Sequence, residues 1–238
     1  MKPPLVFENP RAAAEACGER TLEILGEART ARGQAFLAVS GGSTPRVMFE
    51  WMAAQAFEWE AIEIFWVDER CVPPDDAQSN YRMTREALLD RIQIEPARIH
   101  RIKGELPPAQ AAALYREDIR NTFRLAPGEL PVLDVIQRGM GPDGHTASLF
   151  PGGPLIEDRT HIASDVWVEK MKQHRVTLLP GVLEKGRHTL CLATGPEKKQ
   201  ALREVLSGPQ DLKNFPAQIG RATAVWYVDR AACPAGQS

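Results

Sequence analysis

Largely apolar runs of strand length alternate with helical segments along this chain, and this alternation constrains the fold more than any other feature. The runs occupy residues 35–39, 62–67, 132–136, 188–193 and 224–228. Continuous apolar runs of this length suit strands that are covered on both faces, as in parallel sheets. Because helical periodicity fills the intervals between them, we predict an α/β fold with a mainly parallel sheet.

The ends of several helices are marked by local signals. Asn9 followed by Pro10 is typical of an N-cap and a first helical residue, and Gly33 is a plausible stop. Ser79-Asn80 opens another helix, and further helices are predicted after Pro45 and over 107–125 and 197–206. The 238 residues contain no internal repeat and no low-complexity linker, so we predict one domain spanning 1–238.

Composition excludes several classes of partner. The net charge is -2, from 29 basic and 31 acidic residues, which disfavours nucleic acid and anionic membranes. The apolar runs are too short to span a bilayer, and the N-terminus lacks the apolar core of a signal peptide. The four cysteines are scattered without a C-x-x-C pair, which is typical of free thiols in a reducing cytosol. We therefore expect a cytoplasmic protein.

The first unusual segment, Ser40-Gly41-Gly42-Ser43-Thr44-Pro45, follows a strand and precedes a helix. Ligands of open α/β sheets bind at the carboxyl ends of the strands. Glycines let backbone N–H groups approach an anion, and the helix start adds partial positive charge, so phosphate is the natural ligand. The alternative is a tight turn in which Thr44 caps the helix. The segment matches neither a Walker A loop nor G-x-G-x-x-G, which disfavours nucleotide binding.

A second strand ends in Asp68-Glu69-Arg70. Arg70 could form a forked contact with phosphate or substrate hydroxyls while the carboxylates hold it in place. The alternative is a solvated charge cluster at the start of the loop 71–78, which could cover a site. Two later cations, Arg175 before an apolar run and Lys198 at a helix start, either bind the same anion or are ordinary surface charges.

The most specific segment is 139–152, GMGPDGHTASLFPG, after the third strand. Its Asp143 and His145 lie two residues apart, and a histidine beside a carboxylate is a candidate general acid/base at neutral pH. Ser148 lacks a G-x-S-x-G elbow, so a serine hydrolase is disfavoured. None of the five histidines has metal-ligand spacing to a second histidine or cysteine. We predict that the protein uses neither a metal nor another cofactor.

Taken in order, these segments resemble the 6-phosphogluconolactonase family over nearly the whole chain. The resemblance rests on 40–45, on 68–70 with Val72-Pro73 and Ser79-Asn80, on 139–152, on Arg175 with Thr177-Leu178, and on Gly195, Lys198, Ala201 and Leu202. The string His-Thr-Ala-Ser-Leu-Phe-Pro is highly specific. The chain departs from the family at Gln137-Arg138, which replaces a usually apolar pair, and at 171–174, which replaces a proline-containing stretch.

The resemblance implies a Rossmann-like three-layer α/β/α sandwich and hydrolysis of 6-phospho-D-glucono-1,5-lactone, a phosphosugar lactone. His145 would activate water as a general base and Asp143 would orient it. The residues expected to bind substrate are Gly41, Gly42, Ser43, Thr44, Asp68, Arg70, Gly141, Arg175 and Lys198. We expect no nucleic-acid or membrane partner and a monomer or weak homodimer.

Two alternatives stay open on the sequence alone. Related amino-sugar-phosphate isomerases and deaminases share the Gly-x-Gly-x-Asp-Gly-His core, but they typically have tyrosine where this chain has Arg70. The string 146–150 also favours the lactonase. A sugar-phosphate sensor that regulates transcription would need a DNA-binding module, and the predicted domain leaves no room for one.

Overall fold

The computed structural model describes residues 3–234, and a parallel sheet forms its centre. The strands of the described chain are β1 (Leu5–Phe7), β2 (Ala35–Val39), β3 (Ile62–Trp66), β4 (Asp68–Arg70), β5 (Ile99–His100), β6 (Val135–Gly139), β7 (Ala163–Val168), β8 (Gln173–Leu178), β9 (His188–Ala193) and β10 (Val225–Asp229). Seven of them form the central sheet in the order β1-β10-β9-β6-β2-β3-β5, and every neighbouring pair is parallel.

Helices flank this sheet and give the predicted three-layer α/β architecture. They are α1 (Pro10–Arg32), α2 (Ser43–Ala53), α3 (Asn80–Ala87), α4 (Pro108–Phe123), α5 (Pro180–Lys185) and α6 (Lys199–Ser207). Side chains of β10 alternate between two apolar clusters. Trp226 belongs to the cluster that contains Leu202 of α6, whereas Tyr227 belongs to the cluster that contains Leu25 of α1. The period-2 alternation of a strand therefore lets one sheet bury both of its faces.

Several sequence predictions are confirmed in detail. The strands at 35–39 and 188–193 have the predicted bounds. Asn9 caps α1 by accepting a hydrogen bond from the N–H of Ala12 at 2.9 Å, and Gly33 ends the same helix in the left-handed conformation. Ser79 caps α3 through the N–H of Arg82. These ends were predictable because each depends on a residue and its immediate neighbours.

Other predicted elements are displaced. The strand predicted at 132–136 lies at Val135–Gly139, because pairing with β2 begins where Val135 meets Leu37. Val132 is exposed, whereas Gln137 and Arg138 are fully buried, so the apolar run did not mark the strand. The helix predicted at 197–206 begins with a 3-10 turn at Pro196–Lys198 and continues as α6.

A second, antiparallel sheet of three strands was not predicted. Its order is β4-β8-β7, and it joins the Asp68–Arg70 segment to a hairpin a hundred residues further along the chain. The register places Arg70 opposite Arg175 and Asp68 opposite Thr177. Residues two apart in a strand, and their direct cross-strand partners, share one face of a sheet. This small sheet therefore brings Asp68, Arg70 and Arg175 to one surface.

The cysteines are unpaired, as predicted. Burial raises the pKa of the Cys17 thiol, and it raises the pKa of Cys71 to about 11, so both groups remain thiols at neutral pH.

Within residues 3–234, no helix has the length and apolar character needed to cross a bilayer.

A buried histidine, His100, makes the free energy of unfolding depend on pH. His100 is 8% exposed; its Nε2 lies 3.0 Å from Glu63 and its Nδ1 lies 3.0 Å from Asp118. Burial alone would lower the pKa of His100, but the hydrogen bonds to Asp118 and Glu63 outweigh it and raise the pKa to about 9. Protonated His100 therefore stabilises the folded state fully below the unfolded-state pKa of about 6.5. This contribution is lost as pH rises through about 9.

We expect the free energy of unfolding of the wild-type protein to fall by about 1–3 kcal/mol between pH 6.5 and 9 because of this group. Denaturant unfolding at several pH values measures the change. His100→Gln should lack this part of the dependence, whereas His161→Gln, at an exposed position, should keep it. An identical slope in the wild type and in His100→Gln would show that the cluster does not titrate in this range.

Candidate active site

Two adjoining cavities lie where loops leave the carboxyl ends of the central strands. The smaller, of about 230 Å³, is called the His145 cavity and is lined by Ser40, Gly41, Gly42, Asp68, Arg70, Asn80, Gly139, Met140, Gly141, Pro142, His145, Ala147, Arg175 and Lys198. The larger, of about 340 Å³, is called the Thr44 cavity and is lined by Pro10, Gly42, Ser43, Thr44, Gly139, Met140, Leu192, Ala193, Thr194, Gly195, Glu197 and Lys198. Four shared residues make them one continuous region.

The structure brings the sequence-predicted site residues together. Ten of the eleven border one or both cavities, and Asp143 lies behind His145. A bigger groove of about 480 Å³ runs along the far side of Asp143, between Phe150 and Trp167. Its lining contains none of His145, Arg70 and Arg175. We place the candidate site in the two smaller cavities because they contain the convergent polar groups that chemistry needs.

Asp143 and His145 form a hydrogen-bonded pair on the loop after β6. Nδ1 of His145 lies 2.5 Å from Oδ1 of Asp143, and the imidazole stacks on Phe150 with ring centroids 4.1 Å apart. An ionised carboxylate can only accept, so Nδ1–H donates to Asp143, and in the neutral imidazole Nε2 then carries the lone pair. The ring is 25% exposed, which leaves it accessible from the cavity. This is the geometry of an oriented general base.

The loop backbone holds the pair in place. The N–H of Gly141 donates to the carbonyl of His145 at 2.9 Å, and the N–H of Gly144 donates to the carbonyl of Gly141 at 3.0 Å. Gly144 has a φ of 80°, in the left-handed region that favours glycine. A Cβ atom on Gly141 would lie 2.0 Å from Nδ1 of His145. The two glycines therefore permit a loop that closes tightly around the imidazole.

The Asp143 carboxyl is ionised at neutral pH. Its partial burial raises the pKa of the carboxyl, but hydrogen bonds from His145 and Lys170 have the larger combined effect and hold the pKa well below its usual range. Lys170 Nζ lies 3.0 Å from Oδ2 of Asp143. The carboxylate is thus bonded on both oxygens, one of them facing the imidazole.

The two arginines of the small sheet form the cationic wall of the His145 cavity. Arg175 is 5% exposed and lies over the ring of Phe150 at 5.6 Å, while its Nη1 is 3.8 Å from Oδ2 of Asp68. Burial lowers the pKa of Arg175, but an arginine stays protonated at neutral pH. Within the described chain the Nε atoms of Arg70 and Arg175 are buried and have no hydrogen-bond partner. Buried donors of this kind suit an anionic ligand.

Ser148 has a structural contact that the sequence did not reveal. Its Oγ donates to Oδ2 of the buried Asp68 at 2.6 Å, and its N–H donates to Oγ1 of Thr177 at 3.2 Å. Ser148 is 2% exposed, which is consistent with the prediction that it is not a nucleophile. It links the His145 loop to the small sheet and leaves Asp68 at the cavity wall beside Arg175.

Glu69 has a different role from the one expected. The sequence interpretation gave both carboxylates of Asp68-Glu69-Arg70 the task of holding the arginine. Glu69 instead accepts hydrogen bonds from Ser79 Oγ and from the backbone N–H groups of Arg70, Asn80 and Tyr81. Burial raises the pKa of Glu69, against the effect of these four bonds. Glu69 thereby fixes the start of α3 against the strand end.

The glycine-rich loop after β2 closes against α3. A Cβ on Gly41 would meet Oδ1 of Asn80 at 1.8 Å, so this approach requires glycine. Gln137, one of the two departures from the family, accepts from both N and Oγ of Ser40 through its Oε1. Its side chain therefore tethers this loop to β6, a contact that no local sequence pattern predicts.

Thr44 does not cap α2. The helix begins at Ser43 with Gly42 as its N-cap, and no side chain caps it. The hydroxyl of Thr44 instead shares a 2.7 Å hydrogen bond with that of Thr194, which follows β9. Thr194 was not among the predicted site residues. The alternative interpretation of this segment, a turn capped by Thr44, is wrong, and Thr44 faces the cavity that bears its name.

Lys198 is the cation common to both cavities. Partial burial lowers its pKa, while Glu197 and Asp143 act in the opposite direction. Its Nζ is 3.9 Å from Glu197, which is too far for a good hydrogen bond. An anionic ligand bound in either cavity would therefore stabilise the charged form of Lys198.

We expect Lys198→Ala to raise KM about 10-fold to 150-fold with a smaller change in kcat. Removal of one charge-assisted hydrogen bond costs about 1.5–3 kcal/mol, and a contact of equal strength in the ground and transition states appears in KM alone. Steady-state kinetics of Lys198→Ala and of Lys199→Ala, the adjacent exposed lysine, measure the difference. Equal kinetics in the two variants would make Lys198 a bystander.

Comparison with known proteins gives a consistent picture. The family model for glucosamine-6-phosphate isomerases/6-phosphogluconolactonase matches residues 8–226. The 6-phosphogluconolactonase of Synechocystis sp. is 36% identical over 206 residues, 84% of each chain. That of Mycobacterium tuberculosis is 33% identical over 240 residues, 95% of each. The solved structure of the Trypanosoma cruzi 6-phosphogluconolactonase has a TM-score of 0.84 at 27% identity, covering 97% of this chain and 96% of that one.

Proposed function

The chain is an enzyme of the glucosamine-6-phosphate isomerase/6-phosphogluconolactonase family, related to its 6-phosphogluconolactonases, and we propose that it hydrolyses 6-phospho-D-glucono-1,5-lactone to 6-phosphogluconate. This is the second step of the oxidative pentose phosphate pathway. One observation carries the proposal: the oriented His145 faces the same cavity as Arg70, Arg175 and Lys198. An imidazole base and a set of cations suit a substrate that has an electrophilic carbonyl at one end and a phosphate at the other.

His145 performs the proton transfers in this proposal. Nε2 takes a proton from a water molecule as the hydroxide oxygen bonds to the lactone carbonyl carbon, C1. The tetrahedral intermediate then collapses, the bond from C1 to the ring oxygen breaks, and the imidazolium returns the proton to that oxygen. Asp143 stabilises the imidazolium between the two steps. Because the lactone is an activated ester, no covalent enzyme intermediate is required.

In this proposal the cations of the His145 cavity bind the substrate phosphate and stabilise the oxyanion that develops at the lactone carbonyl. The N–H groups of Gly141 and Gly144 donate within the loop, so those two donors are already engaged. Arg70, Arg175 and Lys198 offer fixed positive charge in a cavity partly shielded from water, where electrostatic stabilisation is strongest. Lys198 borders both cavities and can reach the phosphate in either.

Amino-sugar-phosphate deamination is the competing activity within the family. The relatives described above carry the lactonase name, and Arg70 stands where the deaminases typically have tyrosine. We expect freshly prepared lactone to be hydrolysed and glucosamine 6-phosphate to release no ammonia. Ammonia release at a rate comparable to lactone hydrolysis would overturn the assignment.

We further infer that residues 1–238 act as one domain. β1, close to the start of the chain, pairs in parallel with β10, close to its end, so both ends of the described chain contribute to one sheet. The cytoplasmic location and the monomer or weak homodimer stay predictions.

A further inference from the structure

The second oxygen of Asp143 is bonded to a lysine from a distant segment. Lys170 lies in the short 3-10 turn Glu169–Met171 that joins β7 to β8. Its Nζ is 3.0 Å from Oδ2 of Asp143, while Oδ1 of the same carboxylate faces Nδ1 of His145 at 2.5 Å. The three groups therefore form a chain in the order lysine, carboxylate, imidazole.

Lys170 approaches the pair from outside the cavity that His145 faces. It borders the groove on the far side of Asp143, together with Phe150 and Trp167, and is absent from the lining of the His145 cavity. A substrate in the His145 cavity would therefore be separated from Lys170 by Asp143. Any effect of the lysine on the reaction has to pass through the carboxylate.

We propose that Lys170 is a positioning residue, which holds the Asp143 carboxylate in the orientation that keeps Nδ1 of His145 protonated and Nε2 free to act as the base. The inference rests on the proposed lactonase function. A carboxylate bonded at one oxygen can rotate about its terminal torsion, which is soft. A second bond at Oδ2 removes that freedom, just as outer-shell hydrogen bonds fix the orientation of histidines that bind metal ions.

The charge of Lys170 also opposes protonation of His145. The other charged groups around the pair are Asp68, Arg70, Arg175 and Lys198 on the cavity side and Glu169 on the groove side. Removing one cation from this set makes the surroundings more negative, which favours the imidazolium. The acid limb of kcat/KM must then move to higher pH, because the base is lost at a higher pH as the solution is acidified.

The test compares Lys170→Met with Lys170→Arg and with Lys172→Met. Lys172 lies at the end of the same turn and pairs with Glu169 rather than with Asp143, so it is a matched control. We expect Lys170→Met to lower kcat roughly threefold to tenfold, to leave KM unchanged and to move the acid limb up by about half a pH unit. Lys170→Arg should restore most of the rate, and Lys172→Met should behave as the wild type.

NMR titration of the His145 imidazole gives a readout that needs no activity. Its midpoint should move to higher pH in Lys170→Met and stay in place in Lys172→Met. An unchanged midpoint and an unchanged acid limb in Lys170→Met would overturn the positioning role. A rise in KM alone would also overturn it, because it would mean that Lys170 contacts substrate. A wild-type protein without lactonase activity would instead refute the proposed function and leave the NMR test intact.

Discussion

Replacing His145 by alanine lowers kcat for lactone hydrolysis by roughly 10²–10⁴-fold, the range that a general base contributes. The expectation follows from the geometry: Nδ1 is engaged by Asp143, and the ring borders the cavity that holds Arg70, Arg175 and Lys198. Removing the imidazole removes the oriented base that would take the proton of water. The acid limb of kcat/KM, which we assign to protonation of this base, should disappear in the variant.

A matched control for His145→Ala is available elsewhere in the chain. His161 also pairs with a carboxylate, Asp158, at 2.8 Å, but its side chain is 67% exposed and lies outside both cavities. His161→Ala should keep wild-type kinetics. The Tm of His145→Ala should move little, because the ring is partly exposed and removing it opens no closed core cavity. Near-normal activity in a folded His145→Ala protein would refute general-base catalysis by this residue.

Gly141→Ala should reduce kcat nearly as strongly, by about 10²-fold or more, although it removes no functional group. The added Cβ would lie 2.0 Å from Nδ1 of His145 and 2.7 Å from Oδ1 of Asp143. Such contacts are impossible, so the imidazole must leave its position and the hydrogen bond to Asp143 must break. A small misplacement of a catalytic group is enough to cost about two orders of magnitude.

Gly139→Ala is the control for this prediction. Gly139 is the last residue of β6, two positions before Gly141, and a Cβ there would meet only the carbonyl oxygen of Leu192, at an ordinary 3.7 Å. Its effect on kcat should be much smaller than that of Gly141→Ala. Kinetics and Tm of both variants decide the matter. A Gly141→Ala protein that is folded and fully active would show that His145 does not need the observed position.

The part of the site carried by single loops was predictable from the sequence. Asp143 and His145 are two residues apart, and Gly41 to Thr44 are contiguous, so local order already places each group at a strand end. A parallel sheet then brings those strand ends to one edge. The family resemblance added the roles of the residues.

The part of the site that depends on distant pairing was not predictable. Arg70 and Arg175 became neighbours only through the antiparallel β4–β8 ladder, whose register no local signal specifies. The ion pair between Asp143 and Lys170 depends on the same hairpin and was missed for the same reason. The bonds of Gln137 to Ser40 and of Ser148 to Asp68 also join segments about 80 to 100 residues apart.

General-base catalysis by His145 is tested by the initial rate of hydrolysis of freshly generated 6-phospho-D-glucono-1,5-lactone, measured for wild type and His145→Ala at equal concentration and compared with the spontaneous rate without enzyme. We expect a wild-type rate that is proportional to the enzyme concentration and well above the spontaneous rate, and a rate for the folded variant close to the spontaneous one. A wild-type rate no greater than the spontaneous one, or equal enzymatic rates for the two proteins, would contradict it.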